Sequence, residues 1–316
     1  MKKAFEKLNL RDYGVLLGFL ALCIAISIAT PSFLGKQNIL NLLRQSSIIG
    51  IISAGMTFVI ISGNFDISVG AVAALAGAIT MKFATGGTNL FASMLLGVAI
   101  CAVIGLINGI VVAKINVPSL IATMAMVTIV RGLLLMLTGG YPITENIPIL
   151  DYIGNGYLFS IPIPVVIFFI VVLASFIVLN KTKFGRYVYS VGGNQEASKL
   201  NGINVDSHKV KVFIINAVLA GIAGIVLTGR LGTATAIAGE GYDMDAIASV
   251  VIGGTSVAGG SGSVLKTVIG VLLMSVINNS FNLLGIDVYF QYIFKGLIIL
   301  AAVGFDSYSK KKLASR

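Results

Sequence analysis

The sequence predicts an all-α protein that crosses a membrane about ten times, and three observations carry that prediction. Mean hydropathy is +0.99. Apolar residues make up 57% of the chain and charged residues only 11%, where a soluble domain carries about 25% charged residues. Apolar runs of roughly 20 residues recur from end to end, each long enough to cross about 30 Å of hydrocarbon as a helix. A chain of 316 residues has room for these runs in one membrane domain, 1–316,.

In order, the expected spans are Tyr13–Thr30, Ser46–Ser62, Ile67–Phe83, Leu90–Ala113, Ser119–Thr138, Pro162–Asn180, Val212–Gly229, Ala246–Ala258, Val264–Leu284 and Tyr289–Phe305. Lys2, Lys3 and Lys7 precede the first, and Ser27-Ile28-Ala29 resembles a small-x-small cleavage site. Pro31 follows too closely for ready processing, so the first span is expected to stay as an anchor. Cys23 and Cys101 lie inside apolar runs and read as small hydrophobes,.

Charge orients the spans. With the N-terminus inside, Lys2, Lys3, Lys7, Arg11, Lys114, Lys266, Lys310, Lys311, Lys312, Arg316 and the six basic residues of 181–211 fall inside. Only Lys36, Arg44, Lys82 and Arg230 fall outside, while Arg131 and Lys295 lie within spans. An excess of Lys and Arg on the cytoplasmic side is expected of a multi-span protein, so both termini are placed there. The same rule accounts for the net charge of +10 with no nucleic-acid partner.

Two stretches interrupt the helical pattern: Ser62–Gly70 and the Gly-rich run Gly253–Ser263. Helix breaks at membrane depth are tolerated only against protein or a water-filled cavity, and paired breaks in two halves of a chain point to a substrate pathway. The halves, 46–138 and 212–305, begin with spans of opposite direction, which permits an inverted repeat. Asp66, with Ser68 beside it, reads either as a functional carboxylate or as the cap of the third span. Asn108, Asn216, Asn278, Asn279 and Asn282 read either as interhelical hydrogen bonds, worth about 0.6–2 kcal/mol each, or as amides facing a pathway for a neutral polyol. Asn64 joins the pathway set. Arg131 and Lys295 cost about 2.5–3.5 kcal/mol at mid-span, and are expected to find structural partners, Gln291 sharing the Lys295 face.

The polar module 181–211 holds Lys181, Lys183, Arg186, Lys199, Lys209 and Lys211, with the single histidine, His208. Asn194 can cap a helix whose first turn holds Glu196,, and Gly202 can end it. About two turns result, exposing Glu196, Lys199 and Leu200. Such a helix is either part of a solvated loop or an anchor for a groove on another protein. Outside the bilayer, Glu240, Asp243 and Asp245 either cap the eighth span or help to seat an external binding protein.

Glu196-Ala197-Ser198-x-x-x-Gly202 resembles the EAA-x-x-x-G coupling loop of ABC importer permeases, with Ser198 in place of the second Ala. Thr182-Lys183-Phe184-Gly185-Arg186, Gly192-Gly193-Asn194, Gly63–Gly70, Gly239–Ala248, Val250–Gly260 and Asn278–Gly285 are similar to the ribose-type sugar permeases, so the resemblance covers nearly everything from Pro31 onward. Asn64-Phe65 departs from the family's small or aliphatic pair, and sugar specificity is not read from it. The resemblance implies a permease subunit working as a homodimer in the inner membrane. An ATPase subunit would dock on Arg186, Asn194, Glu196, Ala197, Ser198, Leu200 and Gly202. An extracytoplasmic binding protein would deliver a monosaccharide, ribose first.

No cofactor, metal or catalytic residue is expected. The Gly-rich run lacks the G-K-[ST] of a phosphate-binding loop. Gly259-Gly260-Ser261-Gly262 has the outline of an intramembrane serine protease motif, but a nucleophile needs a base in reach and His208 precedes the seventh span. The competing function is an ATP-independent secondary transporter, for which Asp66 is the coupling carboxylate.

Overall fold

The computed structural model describes residues 10–314; Lys2, Lys3, Lys7 and Arg316 of the charge argument lie outside them. The described chain forms thirteen α-helices: α1 (Leu10–Ala29), α2 (Lys36–Ile61), α3 (Val69–Thr85), α4 (Leu90–Ala113), α5 (Ser119–Thr138), α6 (Pro148–Asn155), α7 (Ile163–Lys181), α8 (Lys183–Gly193), α9 (Gln195–Leu200), α10 (Val205–Leu231), α11 (Tyr242–Ile252), α12 (Val264–Leu283) and α13 (Val288–Ala314). Local chemistry sets many of the boundaries. Asn89 caps α4 by accepting from the Phe91 and Ala92 amides, Pro118 precedes α5 and left-handed Gly139 ends it,.

Each expected span has a helical counterpart, but the eighth is corrected. The chain turns at Gly253-Gly254, so α11 has 11 residues and rises only about 16 Å, half a bilayer core,. Among the described residues, α2, α4, α5, α7, α10 and α12 have the length and composition for a full crossing.

α2 and α10 form the centre. The most apolar 18-residue window of α2 is 94% buried, against 28% for α4 and α5 and 22% for α7, which leave Phe91, Leu95, Met136 and Phe169 on the outside. That inversion of the soluble pattern suits a bundle whose solvent is hydrocarbon. α10 packs on α2, α3 and α4 through small residues: Gly105 lies against Phe213 and Ala217, Gly221 against Cys101, Gly77 against Thr228. Close backbone approach of this kind replaces the hydrophobic driving force that is missing between helices in lipid. In α2 the hydroxyls of Ser46, Ser53 and Thr57 bond back to carbonyls four residues earlier, which satisfies them inside an apolar bundle,.

The two ends of the bundle are distinct. At one end, β1 (Ile143–Thr144) pairs with β4 (Thr233–Ala234), β2 (Tyr157–Leu158) with β3 (Ile161–Pro162), and Arg44 donates to the Asn155 carbonyl at 3.1 Å. At the other, α8 meets the C-terminus of α2 and the loop before α12, and α9 packs on α8 and α10. Segments that the charge pattern assigns to one side of the membrane thus gather at one end.

Candidate functional site

The first interrupted segment meets the connection before α11 about halfway along the bundle. Cys101, the twelfth of the 24 residues of α4, donates its S–H to the Val72 carbonyl in the first turn of α3 (3.5 Å). α3 therefore starts at mid-depth and runs toward the β1–β4 end. The strand-to-helix connection 235–241 dips to the same depth, where Gly239 packs backbone to backbone on Gly70. From there α11 runs toward the α8–α9 end. The N-termini of α3 and α11, each the positive end of a helix dipole, face one another.

Acidic groups stand at both N-termini. The Asp66 carboxylate accepts from the Ser68 amide (2.9 Å), the Ser68 hydroxyl (2.5 Å) and the Asn216 side chain of α10 (2.9 Å). Asn108 of α4 donates to the Ser68 hydroxyl at 3.1 Å. Asp66 is 1% exposed; it caps no amide of α3 itself but holds Ser68, the residue before the helix, in a sealed network that ties the start of α3 to α4 and α10. In α11, Asp245 is 3% exposed and pairs with Lys295 of α13 at 3.0 Å, while Asn278 of α12 donates to it at 3.3 Å.

On the open side of this junction lies a cavity of about 500 Å³ bounded by Gly70, Arg131, Gly239, Glu240, Asp243 and Tyr292. The Arg131 guanidinium, from α5, donates to the carbonyls of Ala236 and Ala238, the latter at 3.1 Å. It pins the dipping connection in place. A second hollow of about 250 Å³ shares Glu240, Met244 and Tyr292 and reaches Lys295.

Both breaks also converge on the α8–α9 module. The Gly260 amide donates to the Ile61 carbonyl at 2.8 Å, and the Tyr189 hydroxyl of α8 to the Gly262 carbonyl at 3.0 Å. Burial pushes the Tyr189 phenol up, which keeps it a donor,. Gly192 is wedged here: a β-carbon on it would overlap the Ile61 carbonyl oxygen and come within 2.8 Å of the Gly260 nitrogen. α8 thus touches the end of α2 and the loop before α12 at one joint. Asn194 caps α9 through the Ala197 amide (2.9 Å), and Gly202 follows it in the left-handed conformation, φ +78°. Ser198 is buried with its hydroxyl 2.9 Å from that of Ser190, which fixes α9 on α8. Arg186, Glu196 and Ala197 are exposed, and Leu200 is 89% exposed on the free face.

The residues read from sequence as a pathway do not share one cavity. Asn64 and Asp66 are buried at the first break, Asn278 bonds Asp245, Asn279 exchanges amide bonds with Asn38, and Asn282 accepts from Gln291 (3.2 Å). Asn278, Asn279 and Asn282 thus link elements of the bundle, while the Asn64 side chain bonds Ser62 in its own loop. Asp245 is enclosed, whereas Glu240 and Asp243 border the cavity. Lys295 pairs with Asp245 rather than with Gln291. Arg131 and Tyr292 were missed as cavity residues. The only signal for Arg131 was a charge in a span, and its partners are backbone carbonyls, which leave no mark in a sequence.

A family model described as branched-chain amino acid transport system / permease component matches residues 38–303. The chain is 44% identical over 303 residues to a ribose import permease protein of Haemophilus influenzae, covering 93% of this chain and 94% of that one. It is 43% identical over 300 residues to the ribose import permease protein of Bacillus subtilis, covering 94% and 93%. It is 35% identical over 300 residues to an L-arabinose transport system permease protein of Escherichia coli, covering 95% and 92%. No solved structure matches the chain.

Proposed function

The chain belongs to the branched-chain amino acid transport system / permease component family, and we propose that it is the membrane-spanning subunit of an ATP-driven importer of a monosaccharide, ribose first. The observation that carries this reading is similarity to ribose permeases over more than nine-tenths of both chains, joined to a chain with no phosphate-binding loop of its own,. It is a transport subunit of the inner membrane, not an enzyme. The single domain 1–316 has both termini and the module 181–211 in the cytosol, as the positive charge suggests. Two copies form the pathway, and a soluble binding protein delivers sugar at the β1–β4 end.

An ATPase subunit takes α9, with Leu200 as apolar anchor and Arg186, Glu196 and Ala197 setting register. Asn194, Ser198 and Gly202 hold the shape of that helix. A push on α9 passes through the Ser190–Ser198 contact to α8, and from Gly192 and Tyr189 to both interrupted segments at once. Closure of the ATPase therefore biases the two mid-depth N-termini between alternative arrangements.

The test is D-ribose uptake into vesicles holding the chain with its ATPase and binding protein. Uptake should require hydrolysable nucleotide, and Glu196→Lys or Gly202→Asp should abolish it. Accumulation driven by an ion gradient with no nucleotide present would refute the reading.

A further inference from the structure

We infer that the cavity between Gly70, Arg131, Gly239, Glu240, Asp243 and Tyr292 is a stopping site, halfway through the bundle, for a neutral polyhydroxylated solute. The inference rests on the importer reading and adds to it a place and a chemistry.

Depth is the first argument. Glu240 follows Gly239, which sits on Gly70 at the level of the middle of α4. Glu240 is exposed there and Asp243 half-buried. Charged groups at that depth are costly against lipid and face water, protein or a solute path. The face between α5, α11 and α13 is therefore not a lipid face, although its neighbours are.

Size and lining are the second. About 500 Å³ falls in the range of small-molecule sites. Its acceptors outnumber its donors: two carboxylates and the carbonyls of the 236–241 connection stand against one guanidinium, which already donates to the carbonyls of Ala236 and Ala238. A solute rich in hydroxyl groups donates to such a lining without bringing charge. The ring of Tyr292 offers an apolar face to the C–H side of a sugar. An anionic solute would set its charge beside Glu240 and Asp243, which like-charge repulsion disfavours.

Ile237 lines the cavity and is 72% exposed, so it can be changed without disturbing packing. In the complete reconstituted importer, Ile237→Trp should cut D-ribose uptake at least about tenfold, while stimulation of ATP hydrolysis by the binding protein stays within about twofold and Phe169→Trp, on the outer face of α7, transports normally,. Separately, Ile237→Cys should react with a water-soluble maleimide, and about 50 mM D-ribose should slow that reaction at least threefold while leucine does not, as for a weak millimolar site. Normal uptake by Ile237→Trp, or labelling that ribose fails to slow or leucine slows equally, overturns the site. A parent importer that hydrolyses ATP but takes up no D-ribose would strike the importer's substrate instead, and the labelling result would still judge the cavity.

Discussion

α3 and α11 hold corresponding places in the two halves of the chain, yet the bundle grips them differently. α3 is clamped on two sides, with Ala73 against Gly224 of α10 and Ala76 against Gly97 of α4. The carboxylate just before it, Asp66, is sealed by Asn216 and by Ser68, to which Asn108 donates. α11 is held by α12, where Gly270 meets the Ser249 carbonyl, and by α2, and Asp245–Val251 are all buried. Only its first turn borders the cavity, through Asp243 and Met244, and that turn reaches α13 through the Asp245–Lys295 pair, whose lysine side chain is 21% exposed. The start of α3 is sealed, whereas the start of α11 opens on the cavity and carries a partly solvated ion pair. The difference leaves the first turn of α11, with the connection that Arg131 holds, the less tightly held of the two starts.

The largest effect is expected where the two segments share one support. Gly192→Val drives a side chain into the Ile61 carbonyl, and no flexible neighbour can yield. Uptake should be lost, with destabilisation of about 3 kcal/mol or more from overpacking,, read as the thermal midpoint of the purified complex. Next, Asp66→Ala strips Asn216 and the Ser68 amide of their acceptor in a sealed site, at a cost of about 2–4 kcal/mol,. Lys295→Met leaves the buried Asp245 carboxylate without its cation and should cost about 3 kcal/mol, the low end for a buried pair because the lysine is partly solvated,, and much of that should return in the double variant with Asp245→Asn. A larger loss at Lys295 than at Asp66 would break the contrast between the sealed start and the open one. Smallest, Asn279→Ala removes an amide pair with Asn38 at about 0.6 kcal/mol and should leave uptake unchanged.

Much of this fold was legible from residue order. α4 and α5 begin and end where the sequence places them, because Asn89, Pro118 and Gly139 punctuate uninterrupted apolar runs. The short helix of the module was readable for the same reason: Asn194 and Gly202 act within a few residues of themselves. α11 was not, since hydropathy continues through Gly253 while the backbone turns. Nor were the pairings at the mid-depth junction. Asp66 and Asn216 stand 150 residues apart, and Asp245 reads alike as a surface acid or as the partner of Lys295 until α12 and α13 are folded beside it.

α3 and α11 leave the same level in opposite directions, and with 17 and 11 residues each falls short of the bundle's full thickness along its own line. Where they start, nothing but backbone lies between them, Gly239 resting directly on Gly70. Contact that close lasts only while both residues are bare: a β-carbon on Gly70 would fall 2.3 Å from the Gly239 oxygen, and one on Gly239 2.7 Å from the Gly70 oxygen. A single added methyl group at either residue must therefore prise the two starts apart.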